Sequence, residues 1–339
     1  MKSVNVVFPK KGRIEVAEQD IPALGETQVL CRAEASLISI GTELRCLRGV
    51  SDPDTNWNAW IRYPFAPGYC MAGTVIETGP AAANFKAGDR IVTQHPHCQY
   101  FAADSNDVNL LPIPEGISFE EAAWQPLGCI TQLGARRAEI QLGDDVGIVG
   151  LGMLGQLVAQ YLKNMGVRSL LAIDVNDWRV EQAMRNGATH SFVGKPQDAA
   201  AAVLEMTCGR KLDTVYDITG LPKTLSSVTT LVRRGGKVIL LGDNTQPSQQ
   251  ALGPNVVSDS LSILGIHGSM CPDSASEFAR WSWKEMAGLF FDMVLAGRMN
   301  VKGMAQSTHS PAEAEKVYMW LEEEKPDAFG VLFDWNRIG

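Results

Sequence analysis

The stretch "DVGIVGLGMLGQLVAQYLKNMGV" at Asp145 to Val167 decides the fold. An apolar run, Val146 to Val149, leads into Gly150-Leu151-Gly152-Met153-Leu154-Gly155, and the apolar period then lengthens to that of a helix. Strand, glycine turn and helix form the context in which the GxGxxG pattern holds a dinucleotide. Gly150 permits the tight turn, Gly152 lets the backbone approach a pyrophosphate, and Gly155 lets the helix pack close to the strand. Met153 and Leu154 fill the variable positions at the helix N-terminus, whose unpaired N–H groups and partial positive charge face the phosphates. Nineteen residues past Gly155, Asp174 ends the next strand, "LLAIDV". A carboxylate there hydrogen-bonds the ribose hydroxyls and repels a 2′-phosphate, so NAD is expected rather than NADP. The following "VNDWR" adds a single base, Arg179, five positions on.

Working outward, the chain keeps alternating. A helix "DWRVEQAMRNGA", a strand "HSFVG" and a helix "PQDAAAAVLEMTCG" come next. Strands "LDTVYDITG", "GGKVILLG" and "LSILGIHGS" follow, which calls for a doubly wound parallel sheet with helices on both faces. Thr219, Gly242 and His267 fall in loops after these strands, at the carboxyl edge where a dinucleotide lies. His267 has two readings, a contact to the nicotinamide amide or a histidine at a subunit boundary.

Residues 1 to about 120 read differently. Short runs such as "VNVVF", "TQVLCRAEAS" and "DRIVTQ" alternate with period two between Gly and Pro turns, which predicts a β-rich domain. A helical period starts at "SFEEAAWQPLGCITQLGARRAEI", with Ser118 as N-cap and Glu121 as its capping-box partner. Two more helices, "SASEFARWSWKEMAGLFFDMVLAG" and "SPAEAEKVYMWLEEE", precede a last strand, "GVLFDW". A terminal strand is held only by pairing, so this tail is returned to the first domain. The expected division is 1–122 with 290–339, and 123–289 for the nucleotide-binding unit.

Composition narrows the function. Lys and Arg number 30 against 38 Asp and Glu, a net charge of −8, which disfavours nucleic acid or an anionic membrane as partner. No apolar run has the length of a membrane span, and "MKSVNVVFPKKGRIEV" reads as strand and turn, not as a signal peptide. Seven scattered cysteines without a CxxC pair suggest reduced thiols in a cytoplasm and no structural zinc cluster.

With these residues in place the chain resembles the medium-chain dehydrogenase/reductase superfamily, the alcohol and sorbitol dehydrogenase-like proteins. The resemblance runs from "SLISIGTEL" through "PGYCMAGTVIETG", "FKAGDRIV" and "GLGMLGQ" to "GVLFDW". It implies a GroES-like catalytic domain, a Rossmann domain, and hydride transfer between an alcohol carbon and nicotinamide in the cleft between them. Zinc-dependent members carry Cys-Gly-Thr-Asp, Gly-His-Glu and a Glu before Pro-Leu. Here those positions read Ile40-Gly41-Thr42-Glu43, Gly68-Tyr69-Cys70 and Gln125-Pro126-Leu127. The chain therefore looks like the zinc-independent branch, and no metal is expected. The rival reading is an improvised metal site of Cys70, His95 and His97, in which the two histidines, two apart on a strand, share a face.

Without zinc, another group must supply or take the substrate proton. Tyr69, which stands in the histidine's place, is the first candidate, and a ring that merely fills the zinc cavity is the alternative. Thr42 and Glu43 stand on a turn facing the nicotinamide, and His97 is a further cleft candidate. Arg45, His95 and Gln125 are placed at the substrate, with Trp57 and Trp60 as a stacking surface for a ring. Thr131 would contact the nicotinamide. The expected function is an NAD(H)-dependent dehydrogenase acting on a secondary alcohol of a polyol, sugar or cyclitol derivative. The alternatives are an enoyl or quinone reductase of the same superfamily and a non-catalytic NAD-binding protein. A homodimer, or a tetramer built from it, is expected through the edge of "LSILGIHGS".

Overall fold

A computed structural model describes residues 2–21, 23–323 and 327–338. The chain opens with a hairpin, β1 (Lys2–Lys10) and β2 (Arg13–Asp20), then β3 (Gln28–Leu37). Two helices follow, α1 (Ile40–Arg48) and α2 (Asn56–Trp60). Next come β4 (Met71–Thr78), β5 (Arg90–Thr93), β6 (Tyr100–Asp104) and β7 (Leu111–Pro112). Helices α3 (Phe119–Ala122) and α4 (Gln125–Arg137) lead to the alternating half. That half runs β8 (Asp145–Val149), α5 (Met153–Met165), β9 (Ser169–Asp174), α6 (Asp177–Arg185) and β10 (His190–Val193). It continues α7 (Ala200–Met206), β11 (Leu212–Asp217), α8 (Thr224–Val228), β12 (Val232–Leu240) and β13 (Ser262–Gly265). The chain closes with α9 (Trp283–Leu295), β14 (Ala305–His309), α10 (Ala314–Glu323) and β15 (Gly330–Asp334).

Among the described residues, β8 to β13 form one parallel sheet in the order β10-β9-β8-β11-β12-β13. The order reverses between β8 and β11, so their carboxyl ends open a crevice there, the place a doubly wound sheet reserves for a ligand. β1 and β2 pair with each other as a two-stranded sheet, and the remaining strands form a largely antiparallel sheet, β14-β15-β3-β4-β5-β7, with β6 paired to β3. One edge of β3 is shared: Gln28 to Arg32 pair with β6, and Ala35 to Leu37 pair with β15. The last strand thus returns to the β-rich sheet.

Apolar packing does not stop at the line between the two sheets. One cluster joins Leu37, Cys70 and Ala72 of the β-rich sheet to Trp124, Phe290 and Tyr161. Trp124 is completely buried in it.

The Ser118–Glu121 capping box is formed in both directions. The helix it starts is nevertheless two helices, because Pro126 has no N–H to continue the ladder and takes the first turn of α4 instead. The turn expected at Thr42 and Glu43 is part of helix α1, ended by Gly49 in the left-handed region at φ 53°. The helix expected from Ser274 begins at Trp283, with Ser282 extended as its N-cap and Trp281 held 3.4 Å beneath the Arg136 guanidinium. The strand "LSILGIHGS" shrinks to Ser262–Gly265.

Candidate active site

A cavity of about 1640 Å3 lies between the crevice of the parallel sheet and the α1 and α2 side of the β-rich half. Its floor at the nucleotide end is the glycine turn. Gly150 has φ 93°, and a Cβ there would press on Thr219 at 3.0 Å. At Gly152, which lines the cavity, a Cβ would meet nothing within 4 Å. At Gly155 a Cβ would run into the Gly150 carbonyl oxygen, so the helix can approach the turn only without one. The three glycines therefore fit the roles a dinucleotide needs: strained turn, open approach, close packing.

Asp174 ends β9 against this turn. One carboxylate oxygen accepts the Leu151 N–H at 2.7 Å and the other accepts the Asn176 N–H at 3.0 Å. Each oxygen keeps a lone pair, and the residue lines the cavity. Arg179 and Lys195 line it too, and the Arg179 Nε is buried without a partner. Met153, Leu154, Thr219, Gly242 and His267 complete this end. His267 is exposed, with Nδ1 2.7 Å from the Ser269 hydroxyl.

The opposite wall carries hydroxyls. Tyr69 follows Gly68, whose φ is 100° and whose missing Cβ leaves room for the His97 ring at 2.7 Å. The Pro67 carbonyl accepts the His97 N–H at 2.8 Å, which pins the turn. The Tyr69 hydroxyl lies 2.6 Å from the Ser39 hydroxyl, and Ser39, Thr42 and Tyr69 all line the cavity. Burial pushes the Tyr69 phenol well above its ordinary range, so it keeps its proton at neutral pH.

Behind the wall is a closed polar group. Glu43 is 1% exposed, and its carboxylate accepts the Ser39 N–H at 2.7 Å and the Tyr318 hydroxyl. Burial, with the Glu43 charge, holds the Tyr318 phenol protonated and so a donor. His97 Nε2 lies 3.1 Å from the same carboxylate, and its Nδ1 lies 2.8 Å from the Ser36 hydroxyl. Trp335 Nε1 donates to that hydroxyl at 2.9 Å. A carboxylate only accepts, so His97 carries its hydrogen on Nε2 and takes the Ser36 hydrogen on Nδ1.

Arg45 of α1 reaches across the crevice. Its Nη2 donates to the carbonyl oxygens of Thr219 at 3.0 Å and Gly220 at 3.4 Å, and its guanidinium sits 5.9 Å from the Trp57 ring centre. Burial lowers its pKa, partly offset by Asp243. Trp57 and Trp60 lie 5.8 Å apart, with Trp60 on the open side.

Several expected site residues lie elsewhere. Glu43 and His97 do not line the cavity but stand behind it, because each is used up by buried partners. His95 is not beside His97 on a strand. It belongs to a loop, stacks on Phe101 at 4.4 Å, and faces a separate hollow of about 220 Å3. Gln125 is fully buried, its amide nitrogen 3.0 Å from the Cys129 sulfur and its oxygen unpartnered. Thr131 is fully buried and spends its hydroxyl on the Leu127 and Gly128 carbonyls of its own helix, so Ile130 lines the cavity in its place. Cys70 is fully buried in the apolar cluster that joins the two sheets. Among the described residues no three His, Cys, Asp or Glu side chains are grouped to hold a metal. Ser39 and Lys195 are among the cavity residues that the sequence reading does not single out. Ser39 carried a signal, an N-cap residue type directly before α1.

Residues 25–125 match the family described as alcohol dehydrogenase GroES-like domain, and residues 154–286 match the one described as zinc-binding dehydrogenase. The chain belongs to the medium-chain dehydrogenase/reductase superfamily. This dehydrogenase is 26% identical to a sorbitol dehydrogenase of Bacillus subtilis over 238 residues, 62% of this chain and 67% of that one. It is 22% identical to a D-guloside 3-dehydrogenase of Escherichia coli over 355 aligned positions, covering 98% of this chain and 100% of that one. It superposes with a TM-score of 0.78 and 21% identity on a putative zinc-binding dehydrogenase of Sinorhizobium meliloti bound to NADP, covering 98% and 99% of the two chains. The dehydrogenase is an oxidoreductase acting on CH–OH groups. No helix among its described residues is long and apolar enough to cross a membrane.

Proposed function

We propose that this CH–OH oxidoreductase works without zinc, uses NAD(H), and oxidises a secondary alcohol of a polyol, sugar or cyclitol. The observation that carries the reading is the Tyr69 hydroxyl, which lines the same cavity as the glycine turn and Asp174. When bound, the nicotinamide supplies the hydride acceptor. The chain supplies the rest. Gly150 to Gly155 and Asp174 hold the dinucleotide, Tyr69 and Thr42 bear on the substrate oxygen, and Trp57 with Trp60 offers the face for an aliphatic ring. The names of the sorbitol and guloside relatives support that substrate class.

Donor chemistry supports zinc independence. Of the three positions where related enzymes hold zinc, Ile40 offers no donor and the Tyr69 phenol is protonated and engaged with Ser39. Gln125 offers one neutral amide oxygen. That set does not fit zinc, which takes thiolate, imidazole or carboxylate ligands. NAD reduction with sorbitol, myo-inositol and methyl glycosides is expected to survive dialysis against a chelator, with zinc well below one per chain by elemental analysis. Loss of activity on chelation, restored by zinc, would sink the reading.

Cofactor choice rests on Asp174 alone, because Arg179 and Lys195 beside it both favour a phosphate. Asp174→Asn keeps an acceptor for the Leu151 N–H while removing the charge. It should shift the ratio of NADP to NAD affinity by about tenfold, a step of about 1.4 kcal/mol. An unchanged ratio in fluorescence titrations would show that the carboxylate does not select.

The assembly reading is a homodimer. β13 is the outer strand of the parallel sheet, with Ile263 and Leu264 half-buried, and a free apolar edge calls for a partner strand. Sedimentation at micromolar concentration should give twice the chain mass. A monomer there counts against pairing through β13.

A further inference from the structure

Ser39 is the N-cap of α1, yet it does not cap the helix. A serine at that position ordinarily turns its hydroxyl to the free N–H of the second or third helical residue. Here the side chain makes no such bond, and the Thr42 and Glu43 N–H groups go to the Ser39 carbonyl oxygen instead, at 3.0 and 2.9 Å. Glu43 returns half of a capping arrangement by accepting the Ser39 N–H at 2.7 Å. The hydroxyl is thereby released and stands 2.6 Å from the Tyr69 oxygen, on the cavity wall.

We propose that Ser39 is a catalytic residue, the second hydroxyl of a proton relay with Tyr69, and that Glu43 and His97 are the positioning residues that hold the pair. The proposal rests on Tyr69 being the group that meets the substrate oxygen. In the oxidising direction the substrate carbon gives up its hydrogen with the bonding electron pair to the oxidised nicotinamide. The substrate O–H bond breaks, and its proton forms a bond to the Tyr69 oxygen. Tyr69 passes its own proton to the Ser39 oxygen, and Ser39 releases one to cavity water. One hydride and one proton leave the alcohol, and both hydroxyls end as they began. A relay is needed because the phenol, raised by burial, holds no standing negative charge with which to accept a proton. Ser39 provides the exit.

The positioning group is rigid for a physical reason. The Ser39 N–H and the Tyr318 and His97 donors all converge on one buried carboxylate, and the His97 ring lies directly under Gly68. A single strut therefore sets both the start of α1, which carries Ser39, and the turn that carries Tyr69.

The test is Ser39→Ala beside Tyr69→Phe, with sorbitol, myo-inositol or methyl glucoside as substrate. For Ser39→Ala, kcat should fall about 10- to 100-fold, at or below the low end of acid–base catalysis, with KM and NADH affinity within about twofold. A plot of rate against the deuterium fraction of the solvent, bowed for the wild type by two protons in flight, should become linear. Ser39→Thr, which keeps a hydroxyl, should recover most of the rate. The thermal midpoint of Ser39→Ala should stay put, because no cap is lost. Full turnover with a bowed plot in Ser39→Ala, while Tyr69→Phe is impaired, overturns the relay and leaves the function of Tyr69 standing. Full turnover in Tyr69→Phe overturns both.

Discussion

Tyr69→Phe should lower turnover by roughly two to four powers of ten, the range of general acid–base catalysis, while leaving cofactor affinity nearly unchanged. The substitution removes one oxygen and keeps the ring. The ring's place is set by the Pro67–Gly68 turn over His97, which does not depend on the hydroxyl. What disappears is the one phenol among the described residues of the cavity wall and its 2.6 Å contact with Ser39. The glycine turn and Asp174 lie on the opposite side of the cavity and keep their contacts. Steady-state rates with the alcohol panel, together with NADH titration by fluorescence, give both halves of the comparison. Nearly full turnover would mean that the ring only occupies space, and the proton would have to come from Thr42 or water.

Glu43→Ala should cost on the order of 3–5 kcal/mol of stability, because each buried donor left without an acceptor costs about 1–3 kcal/mol. Three donors lose their acceptor at once: the Ser39 N–H, the Tyr318 hydroxyl and the His97 ring nitrogen. All lie where water does not reach, so none is re-satisfied by solvent. Glu43→Gln keeps an acceptor oxygen and should cost much less. Chemical unfolding of the two variants beside the wild type measures the difference. Equal midpoints for Glu43→Ala and the wild type would show that the group is not a strut.

The nucleotide half was legible because its constraints are local. A glycine that must take a positive φ, another whose Cβ would strike a carbonyl, and an acid at the end of the next strand all sit within one βαβ unit. The alternation of strand and helix then dictates the sheet. The wall with the hydroxyls was legible only in part. Tyr69 and Thr42 could be placed by resemblance, but the polar group behind them joins residues 36, 43, 97, 318 and 335, which no local pattern connects. Placing His95 and His97 on one face is valid only for a strand, and here Pro96 and the loop turn the two rings to different partners, Phe101 for His95 and Ser36 with Glu43 for His97. Gln125 and Thr131 lie on a helix packed on both sides, where polar side chains turn inward to local partners. The turn expected at Thr42 and Glu43 is a helix because Leu44 and Leu47 are buried on its inner face, which offsets the cost of Gly41.

The apolar cluster that joins Leu37 and Ala72 to Trp124, Phe290 and Tyr161 has a consequence for how the chain gains its structure. Each sheet has apolar clusters of its own, but this one is shared, so part of each half's buried surface is covered by the other. Excising either half would bare that surface, so the two are bound to form and to melt as one cooperative unit. A scanning calorimeter should record a single transition rather than two. A gene fragment encoding only the nucleotide half would yield aggregate, and work on cofactor binding needs the whole polypeptide.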